Sequence, residues 1–268
     1  MSAADFARLA AYIYQKTGIR FEAGKQYYVA RRVEKRMQEL GYESFSRYFN
    51  HLRFQPAEKE LEFLVNALTV NETYFFREYM QLKCFAEEVV PLLVQNFPDC
   101  VLKVWSAGCS TGEEPYTLAI VLMEMLGETG VSFEVHGTDI NTSVLETAER
   151  AVYGERAVKD VPVDYLQKYF HFDSAGYRVI PAVKKHVRLY RLNLIDGEAM
   201  EQMRGFHAIF CRNVLIYFDD RSRREVALGF YRSLEPGGFV FLGHSESMSR
   251  ITPIFRLRRF KEAIIYQK

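Results

Sequence analysis

The chain has 268 residues, of which 49% are hydrophobic and 26% charged, and its 35 lysines and arginines nearly balance its 34 aspartates and glutamates. This composition is typical of a globular chain of one large domain or about two ordinary ones, and it excludes disorder as the main state. The formal net charge of +1 leaves no global field that would attract nucleic acid or anionic lipid.

Residues 1–70 carry apolar side chains at intervals of three and four, the spacing of amphipathic helices. Glycines interrupt this pattern, and no strand pattern occurs before residue 101. We therefore predict an all-α N-terminal domain over 1–70, followed by a linker helix over 71–88 that serves both domains. The predicted N-terminal helices contain Phe6–Ile13, Tyr28–Met37, Phe45–Phe49 and Glu60–Leu68.

From residue 101 onward, short apolar runs rich in β-branched and aromatic residues alternate with amphipathic helices, the pattern of a parallel sheet covered on both faces. Residues 89–268 are thus predicted to form a doubly wound α/β domain. The predicted strands are 101–108, 133–140, 187–194, 207–218 and 237–245, with one further strand in the tail 256–268. The predicted helices are Glu113–Leu126, Thr142–Ala151 and Arg221–Leu234, the last stopped by Pro236-Gly237-Gly238.

Residues 155–186 break this alternation. A helix over Val163–Tyr169 is predicted to precede a short hairpin whose turn is Asp173-Ser174-Ala175-Gly176. We interpret the segment as a small antiparallel β-subdomain inserted into the sheet domain.

A glycine-rich turn with the sequence GCSTG, residues 108–112, separates the first predicted strand from the helix that begins at Glu113. Doubly wound sheets bind ligands here, because glycines let the backbone approach the ligand and the helix N-terminus presents free N–H groups. A tight turn with no ligand is the alternative. Neither G-x-G-x-x-G nor G-x-x-x-x-G-K-[ST] is present, so the fingerprints of nicotinamide dinucleotide and nucleoside triphosphate sites are not met.

Asp139 ends the second predicted strand, where an acidic side chain is placed to accept hydrogen bonds from both hydroxyls of a ribose. The alternative is that Asp139 caps the helix beginning at Asn141-Thr142. Together, the turn and the acid describe an adenosine pocket without a grip on pyrophosphate, which points to S-adenosylmethionine.

Five segments spread along the chain carry a family resemblance. They are NETYFFRE (71–78), SAGCSTGEEPY (106–116), GTDIN (137–141), Asn193-Leu194 and IFCRNVLIYFD (209–219). In sequence and order they closely resemble the chemotaxis receptor methyltransferases, the CheR family, over nearly the whole chain. The resemblance implies a Rossmann-like S-adenosylmethionine-dependent methyltransferase domain behind an all-α domain that docks on the receptor.

The resemblance also implies a reaction: methyl transfer from S-adenosylmethionine to glutamate side chains on chemoreceptor cytoplasmic helices, which gives glutamyl methyl esters. A glutamate carboxylate is already ionised at neutral pH, so the reaction requires placement of nucleophile and methyl group rather than a metal or a strong base. The family's cofactor contacts carry over onto Asn71, Thr73, Arg77, Glu113, Asp139, Asn193, Leu194, Arg212 and Asn213.

Arg77 and Tyr217 are the predicted catalytic residues. Arg77 would orient the incoming carboxylate as well as the cofactor, and Tyr217 would present its hydroxyl beside the methyl group. The alternative for Tyr217 is a packed aromatic ring whose hydroxyl is satisfied within the protein.

The helical domain carries a local positive charge, with 11 Lys and Arg against 7 Asp and Glu in residues 1–60. Arg31, Arg32, Lys35 and Arg36 are spaced to lie along one side of a helix. A solvated helix face is the alternative. Because the family's substrate surface is an acidic receptor coiled coil, we expect these four residues to steer and dock the receptor.

The insertion resembles the family's β-subdomain, which in some members binds a C-terminal receptor pentapeptide through a longer, glycine-rich loop. Here the turn shrinks to residues 173–176, so we predict independence of the pentapeptide.

Other function classes fit less well. A nucleic-acid methyltransferase would carry an Asn/Asp-Pro-Pro-aromatic element where this chain reads CRNVLIYF, and a dehydrogenase would need the nicotinamide fingerprint. A non-catalytic signalling adaptor with the same fold stays as the alternative.

Cysteine and histidine usage indicates neither a disulfide framework nor a metal site, because the four cysteines form no C-x-x-C pair and the six histidines lack ligand spacing. With no signal-peptide or membrane-spanning pattern, we expect a cytoplasmic protein recruited to chemoreceptor arrays, without membrane insertion or nucleic-acid partner. The resemblance implies a monomer.

Overall fold

The computed structural model describes residues 1–54, 58–127 and 129–268. Within the described part of residues 1–70 lie helices α1 (Ala3–Thr17), α2 (Gln26–Glu39), α3 (Phe45–Phe54) and α4 (Glu58–Leu68). Apolar side chains at helical spacing, among them Leu9, Val33 and Leu52, fill the core between the helices. The predicted all-α domain is confirmed, and α1 ends at Gly18, whose φ of +72° suits glycine.

A buried polar cluster joins α2, α3 and α4. Glu60 is only 6% exposed and accepts hydrogen bonds from Arg36 Nη2 at 2.7 Å and from the hydroxyl of Tyr48 at 2.9 Å. Burial next to the Glu60 carboxylate raises the pKa of Tyr48, and hydrogen bonding to Glu60 raises that of Arg36. Arg36 is therefore bound to a buried carboxylate, and its side chain is only 22% exposed.

The segment predicted as a linker helix over 71–88 differs from that expectation. Residues 71–78 are extended and turn-like, and helix begins only at Tyr79, continuing through α5 (Tyr79–Cys84), a π-helical segment (Phe85–Val89) and α6 (Val90–Asn96). Phe76 and Glu78 have φ values of +59° and +56°, which an α-helix does not accommodate. The Phe75 N–H donates instead to Ala157 O at 2.9 Å, so tertiary contacts replace the helical ladder.

A seven-stranded sheet forms the centre of the second domain, in the order β6-β2-β1-β7-β8-β10-β9. The pairings from β6 through β8 are parallel, whereas β10 is antiparallel to β8 and to β9. A second, antiparallel sheet has the order β3-β5-β4. The strands are β1 (Leu102–Ala107), β2 (Phe133–Asp139), β3 (Val152–Tyr153), β4 (Phe170–Asp173), β5 (Gly176–Val179), β6 (Val187–Arg191), β7 (Phe206–Cys211), β8 (Leu234–Leu242), β9 (Arg256–Arg259) and β10 (Ile264–Gln267).

Helices cover both faces of the large sheet, and two apolar clusters, one on each face, contain its inward side chains. This arrangement confirms the predicted doubly wound fold with an antiparallel insertion. The helices are α7 (Glu113–Leu126), α8 (Thr142–Arg150), α9 (Glu155–Val158), α10 (Val163–Tyr169), α11 (Pro181–Lys184), α12 (Gly197–Glu201), α13 (Asp220–Ser233) and α14 (Met248–Ile251).

Three local predictions need correction. The tail forms two strands, β9 and β10, because the chain reverses between Phe260 and Ala263, which are joined by a backbone hydrogen bond of 2.9 Å. Pro236-Gly237-Gly238 lies inside β8 and does not precede it, since a register shift opposite Phe206–Ala208 accommodates the proline. The small sheet also gains β3, a two-residue strand that precedes the predicted insertion.

The Arg36–Glu60 pair generates a stability prediction. We expect Arg36→Ala to lower the free energy of unfolding of the helical domain by about 2 kcal/mol, because Glu60 would stay buried without its cationic partner. Lys35→Ala is the matched control, since the neighbouring Lys35 side chain is 80% exposed. Urea unfolding followed by circular dichroism at 222 nm measures both, because the single tryptophan, Trp105, lies in β1 and would not report on the helical domain. Equal midpoints for the two variants would contradict a structural role for Arg36.

Candidate active site

A cavity of about 300 Å³ lies where β1, β2, β6 and β7 end, between the sheet domain and the helical domain. Parallel α/β sheets bind ligands at this edge because the loops after the strands converge there. Four further stretches complete the wall: residues 17–28 of the helical domain, 68–77 of the linker, 192–194 after β6 and 212–218 after β7.

The glycine turn after β1 forms the floor of this cavity. Gly108 has a φ of +86°, and a Cβ added there would lie 2.3 Å from Cγ2 of Val214. A side chain at Gly108 would therefore displace the turn that follows β7, so glycine is required by close approach as well as by conformation.

Asp139 holds the turn after β1 against the end of β2. Its Oδ2 accepts from the Ser110 N–H at 2.9 Å, and its Oδ1 accepts from the Asn141 N–H at 2.9 Å. Asn141 itself caps α8, so the capping alternative for Asp139 does not hold. Burial raises the pKa of the Asp139 carboxyl, and these N–H bonds oppose the rise. Because each carboxylate oxygen has two lone pairs, the Asp139 side chain can still accept hydrogen bonds from a ligand in the cavity.

Arg212, at the end of β7, joins three segments around the cavity. Its side chain is 3% exposed, and its Nε donates to Glu114 Oε2 at 2.6 Å in the first turn of α7. Its Nη1 donates to the backbone oxygen of Arg77 at 2.7 Å. Arg212 therefore fixes the 71–78 segment to the sheet, although it also lines the cavity.

Backbone strain concentrates at the same place. Five non-glycine residues of the described chain have positive φ, and four of them lie in the segments around the cavity: Phe76, Glu78, Ser110 and Asn213. Such conformations cost about 1–3 kcal/mol each and persist where surrounding contacts impose them, often at functional sites. Phe76 and Glu78 flank Arg77, so their backbone conformations fix the direction in which the Arg77 side chain projects.

The turn after β7 is held by Glu246, a residue that sequence reasoning missed. Glu246 Oε2 accepts from the N–H groups of Gly243 at 2.8 Å and Asn213 at 2.9 Å, and Oε1 accepts from Ile216 at 3.2 Å. An acid shortly after a buried strand, in the sequence GHSES, was the available signal. Asn213 Oδ1 is buried with no partner among the described residues, which leaves an acceptor for a ligand.

The two predicted catalytic residues both line the cavity. Arg77 Nη1 donates to Glu72 O at 2.8 Å, and the other N–H groups of the Arg77 guanidinium have no acceptor within the described ranges. The Tyr217 hydroxyl likewise has no hydrogen-bond partner in the described part of the chain, so the ring is not the self-satisfied packed aromatic of the alternative. Burial raises the pKa of Tyr217, which keeps its hydroxyl a neutral donor.

The predicted cofactor residues come together with one exception. Asn71, Thr73, Asn193 and Leu194 line the cavity, although Asn193 Nδ2 already donates to Lys16 O at 2.9 Å. Glu113 is the exception: it does not line the cavity, and its cofactor contact stays a prediction.

The Glu113 carboxylate is buried on another side of the turn, where it accepts from the Thr111 hydroxyl at 2.6 Å. Its neighbour Glu114 faces the cavity instead. The pair EE in the sequence did not show which carboxylate would point inward.

The helical domain also contributes to the wall, which the sequence did not predict. Ile19 forms a β-bridge with Phe218, and the Arg20 N–H donates to Tyr217 O at 2.9 Å. Arg20, Lys25 and Tyr28 all line the cavity. The two domains thus share the site, and the loop between α1 and α2 is attached directly to the turn that carries Tyr217.

The four basic residues of α2 divide into two pairs. Arg32 stacks on Tyr28 at 3.5 Å and donates through Nε to Ala67 O at 2.7 Å, and Arg36 binds Glu60. Both side chains therefore hold the helical domain together, and their role in docking stays a prediction. Arg31 and Lys35 are exposed, and Lys35 makes only a long surface ion pair with Glu39 at 3.9 Å.

The described residues contain no group of three or more His, Cys, Asp or Glu that could hold a metal ion. No helix in these ranges is both long and apolar enough to cross a membrane.

Comparisons with known proteins agree with this geometry. Residues 4–69 match the family model for the CheR methyltransferase all-alpha domain, and residues 71–264 match that for the CheR methyltransferase SAM binding domain. The chain is 44% identical to chemotaxis protein methyltransferase 2 of Vibrio cholerae over 98% of this chain and 92% of that protein. It is 37% identical to the chemotaxis protein methyltransferase of Klebsiella aerogenes over 96% of this chain and 88% of the relative. The cofactor of the matched domain is S-adenosylmethionine, as the sequence predicts.

The contrast between Asp139 and Glu113 is testable by binding. We expect Asp139→Asn to weaken S-adenosylmethionine binding by about tenfold or more, because an amide loses a charged acceptor. Glu113→Gln is the control and should leave the dissociation constant within about twofold, since Glu113 does not face the cavity. Isothermal titration calorimetry measures both, and equal losses for the two variants would contradict the assignment.

Proposed function

The chain belongs to the CheR methyltransferase family, and on that premise we propose that it transfers a methyl group from S-adenosylmethionine to glutamate side chains of chemoreceptor cytoplasmic domains. The product is a glutamyl methyl ester. The proposal rests on one observation: the Asp139 carboxylate and the unsatisfied donors of Arg77 and Tyr217 line the same cavity.

The residues of the cavity fit the cofactor. Asp139 offers carboxylate lone pairs to ribose hydroxyls, and Asn213 offers a buried, unpartnered amide oxygen. When bound, S-adenosylmethionine supplies a methyl group activated by a sulfonium leaving group. Leu194 and Val70 give the cavity apolar surface, which suits an adenine ring.

The substrate side of the site requires cations and no base. A glutamate carboxylate is ionised at neutral pH and acts as its own nucleophile. The free N–H groups of Arg77 can hold it by charge-assisted hydrogen bonds, and the neutral hydroxyl of Tyr217 can donate a further one. We propose that catalysis consists mainly of this positioning.

A label-transfer assay tests the proposed function. The intact protein is incubated with methyl-labelled S-adenosylmethionine and a chemoreceptor cytoplasmic fragment, and the product is treated with mild alkali. We expect receptor-bound label that is released as volatile methanol, because carboxyl methyl esters hydrolyse in alkali whereas methylated amines do not. Intact cofactor binding without transfer to any receptor offered would favour a non-catalytic adaptor.

Two conservative variants test the catalytic roles. Arg77→Lys and Tyr217→Phe should each lower kcat by about tenfold or more while the fold is retained, because each removes hydrogen bonds to the reacting carboxylate. Tyr231→Phe is the control, since that tyrosine lies on α13 away from the cavity. Wild-type turnover of both variants at saturating cofactor and receptor would exclude the catalytic assignment.

We propose further that the exposed basic residues of α2 dock the receptor. The family's acidic receptor helices are complementary to Arg31 and Lys35, which lie one helical turn apart. Arg32 and Arg36 keep the helix in place for this contact.

The docking proposal predicts that substitutions on this face change the KM for receptor but not the affinity for the cofactor. Arg31→Glu with Lys35→Glu should raise the KM for receptor at least fivefold, more at low salt, and leave the dissociation constant of S-adenosylmethionine unchanged. Steady-state methylation at 0.05 and 0.2 M salt measures the effect. Unchanged receptor kinetics at both salt concentrations would contradict docking through this face.

We also propose that methylation does not depend on a receptor C-terminal pentapeptide, because β4 and β5 are joined by a turn of only Ser174-Ala175. Submicromolar binding of such a pentapeptide to the intact chain would contradict this. A monomeric state and recruitment to receptor arrays stay predictions from the family resemblance.

A further inference from the structure

The strand β9 forms one edge of the large sheet, opposite the edge formed by β6. It pairs with β10 on one side, and no described strand lies on its other side. All four of its residues, 256–259, are exposed. An edge strand presents a row of backbone N–H and C=O groups to any extended chain that approaches it.

The charge around this edge is one-sided. Residues 250–261 contain five lysines and arginines and no acidic residue. The side chains of Arg256, Arg259 and Lys261 have no ion-pair or hydrogen-bond partner among the described residues, and Arg258 donates to the uncharged Gln267 at 2.8 Å. The next acid along the chain, Glu262, lies 3.5 Å from Lys83. The edge therefore carries uncompensated positive charge although the whole chain is almost neutral.

The edge also carries exposed apolar side chains. Leu257 is 44% exposed and Ile264 is 53% exposed. Arg259 pairs with Ile264 in the ladder, and residues two apart on a strand share a face, so Leu257, Arg259 and Ile264 lie on one face of the hairpin. Arg256 and Arg258 lie on the other face.

We propose that β9 binds an acidic, extended peptide segment of a partner protein, which adds to the large sheet as a further strand. Backbone hydrogen bonds to the edge would supply affinity, and carboxylates on both faces of the segment would pair with Arg256, Arg258 and Arg259. An apolar residue between the acids would cover Leu257. A second copy of this chain does not fit, because two such edges would place like charges opposite each other.

This surface is separate from the methyl-transfer cavity. β10 and β8 lie between β9 and β7, the last strand whose end forms the cavity wall. Binding at β9 therefore neither requires nor blocks cofactor binding, and the proposal stands or falls independently of the proposed reaction.

Fluorescence anisotropy of the intact protein with a labelled nine-residue peptide tests the proposal. The peptide is composed of glutamate, valine and threonine, with glutamates at both odd and even positions so that each face of the strand carries carboxylates. We expect saturable binding with a dissociation constant below about 100 µM, and at least tenfold weaker binding for Arg256→Glu with Arg259→Glu. Arg224→Glu with Lys185→Glu is the matched control, because it changes the net charge equally at exposed positions away from β9. The control should bind within twofold of the wild type.

Hydrogen exchange distinguishes strand addition from simple charge attraction. Saturating peptide should slow amide exchange in residues 256–259 at least tenfold. Absence of saturable binding, equal binding by the β9 variant, or binding without protection of these amides would overturn the proposal. Binding to phosphatidylglycerol vesicles without binding to the peptide would also overturn it, in favour of a lipid surface.

Discussion

The candidate site depends on one interaction, the buried ion pair between the Arg212 guanidinium and the Glu114 carboxylate. Arg212 connects the end of β7 to the first turn of α7 through Glu114 and to the 71–78 segment through the backbone of Arg77. These segments are far apart in sequence, and each supplies residues to the cavity. Because a buried charge without its partner is strongly destabilising, Arg212 and Glu114 act as one unit. Arg212 thus contributes to the site mainly by holding other residues in place.

Strained backbone and buried acids surround this ion pair. Asn213, next to Arg212, has a φ of +61°, and Glu246 accepts from its N–H. The turn that follows carries Tyr217, whose backbone oxygen accepts from Arg20 of the helical domain. A strained conformation such as that of Asn213 persists because several surrounding contacts impose it together. The backbone around Arg77 and Tyr217 is therefore fixed by contacts within the protein, which is the arrangement that the proposed catalysis by positioning requires.

The helical domain has two roles in this architecture. One side of it, at Arg20, Lys25 and Tyr28, lines the cavity, and another presents Arg31 and Lys35 to solvent. A receptor segment bound to α2 would lie next to the wall of the site. The proposed docking face and part of the cavity wall thus belong to one domain.

The sequence by itself determined the type and order of most elements. Period-3.6 patterns located the four N-terminal helices, and apolar runs located β1, β2, β6 and β7, because local spacing of apolar residues is what burial on one face requires. Motifs with strict spacing, such as NETYFFRE and CRNVLIYF, identified the family and the part of the cavity that the sheet domain and the 71–78 segment supply, but not the part that the helical domain supplies. Within those segments the residue types and their order were enough to identify the family without any knowledge of the fold.

Only the tertiary structure decided which of two similar neighbours faces the cavity or the solvent. Glu114 rather than Glu113 faces the cavity, and Arg36 is held inside the helical domain while Arg31 and Lys35 stay exposed. The reason is that partners distant in sequence, Arg212 and Glu60, bind Glu114 and Arg36. The same reason explains why 71–78 is not helical: its backbone bonds to Arg212 and Ala157 replace the local ladder. Contacts across 24 to 135 residues leave no periodic signal, so they became visible only once the chain was folded.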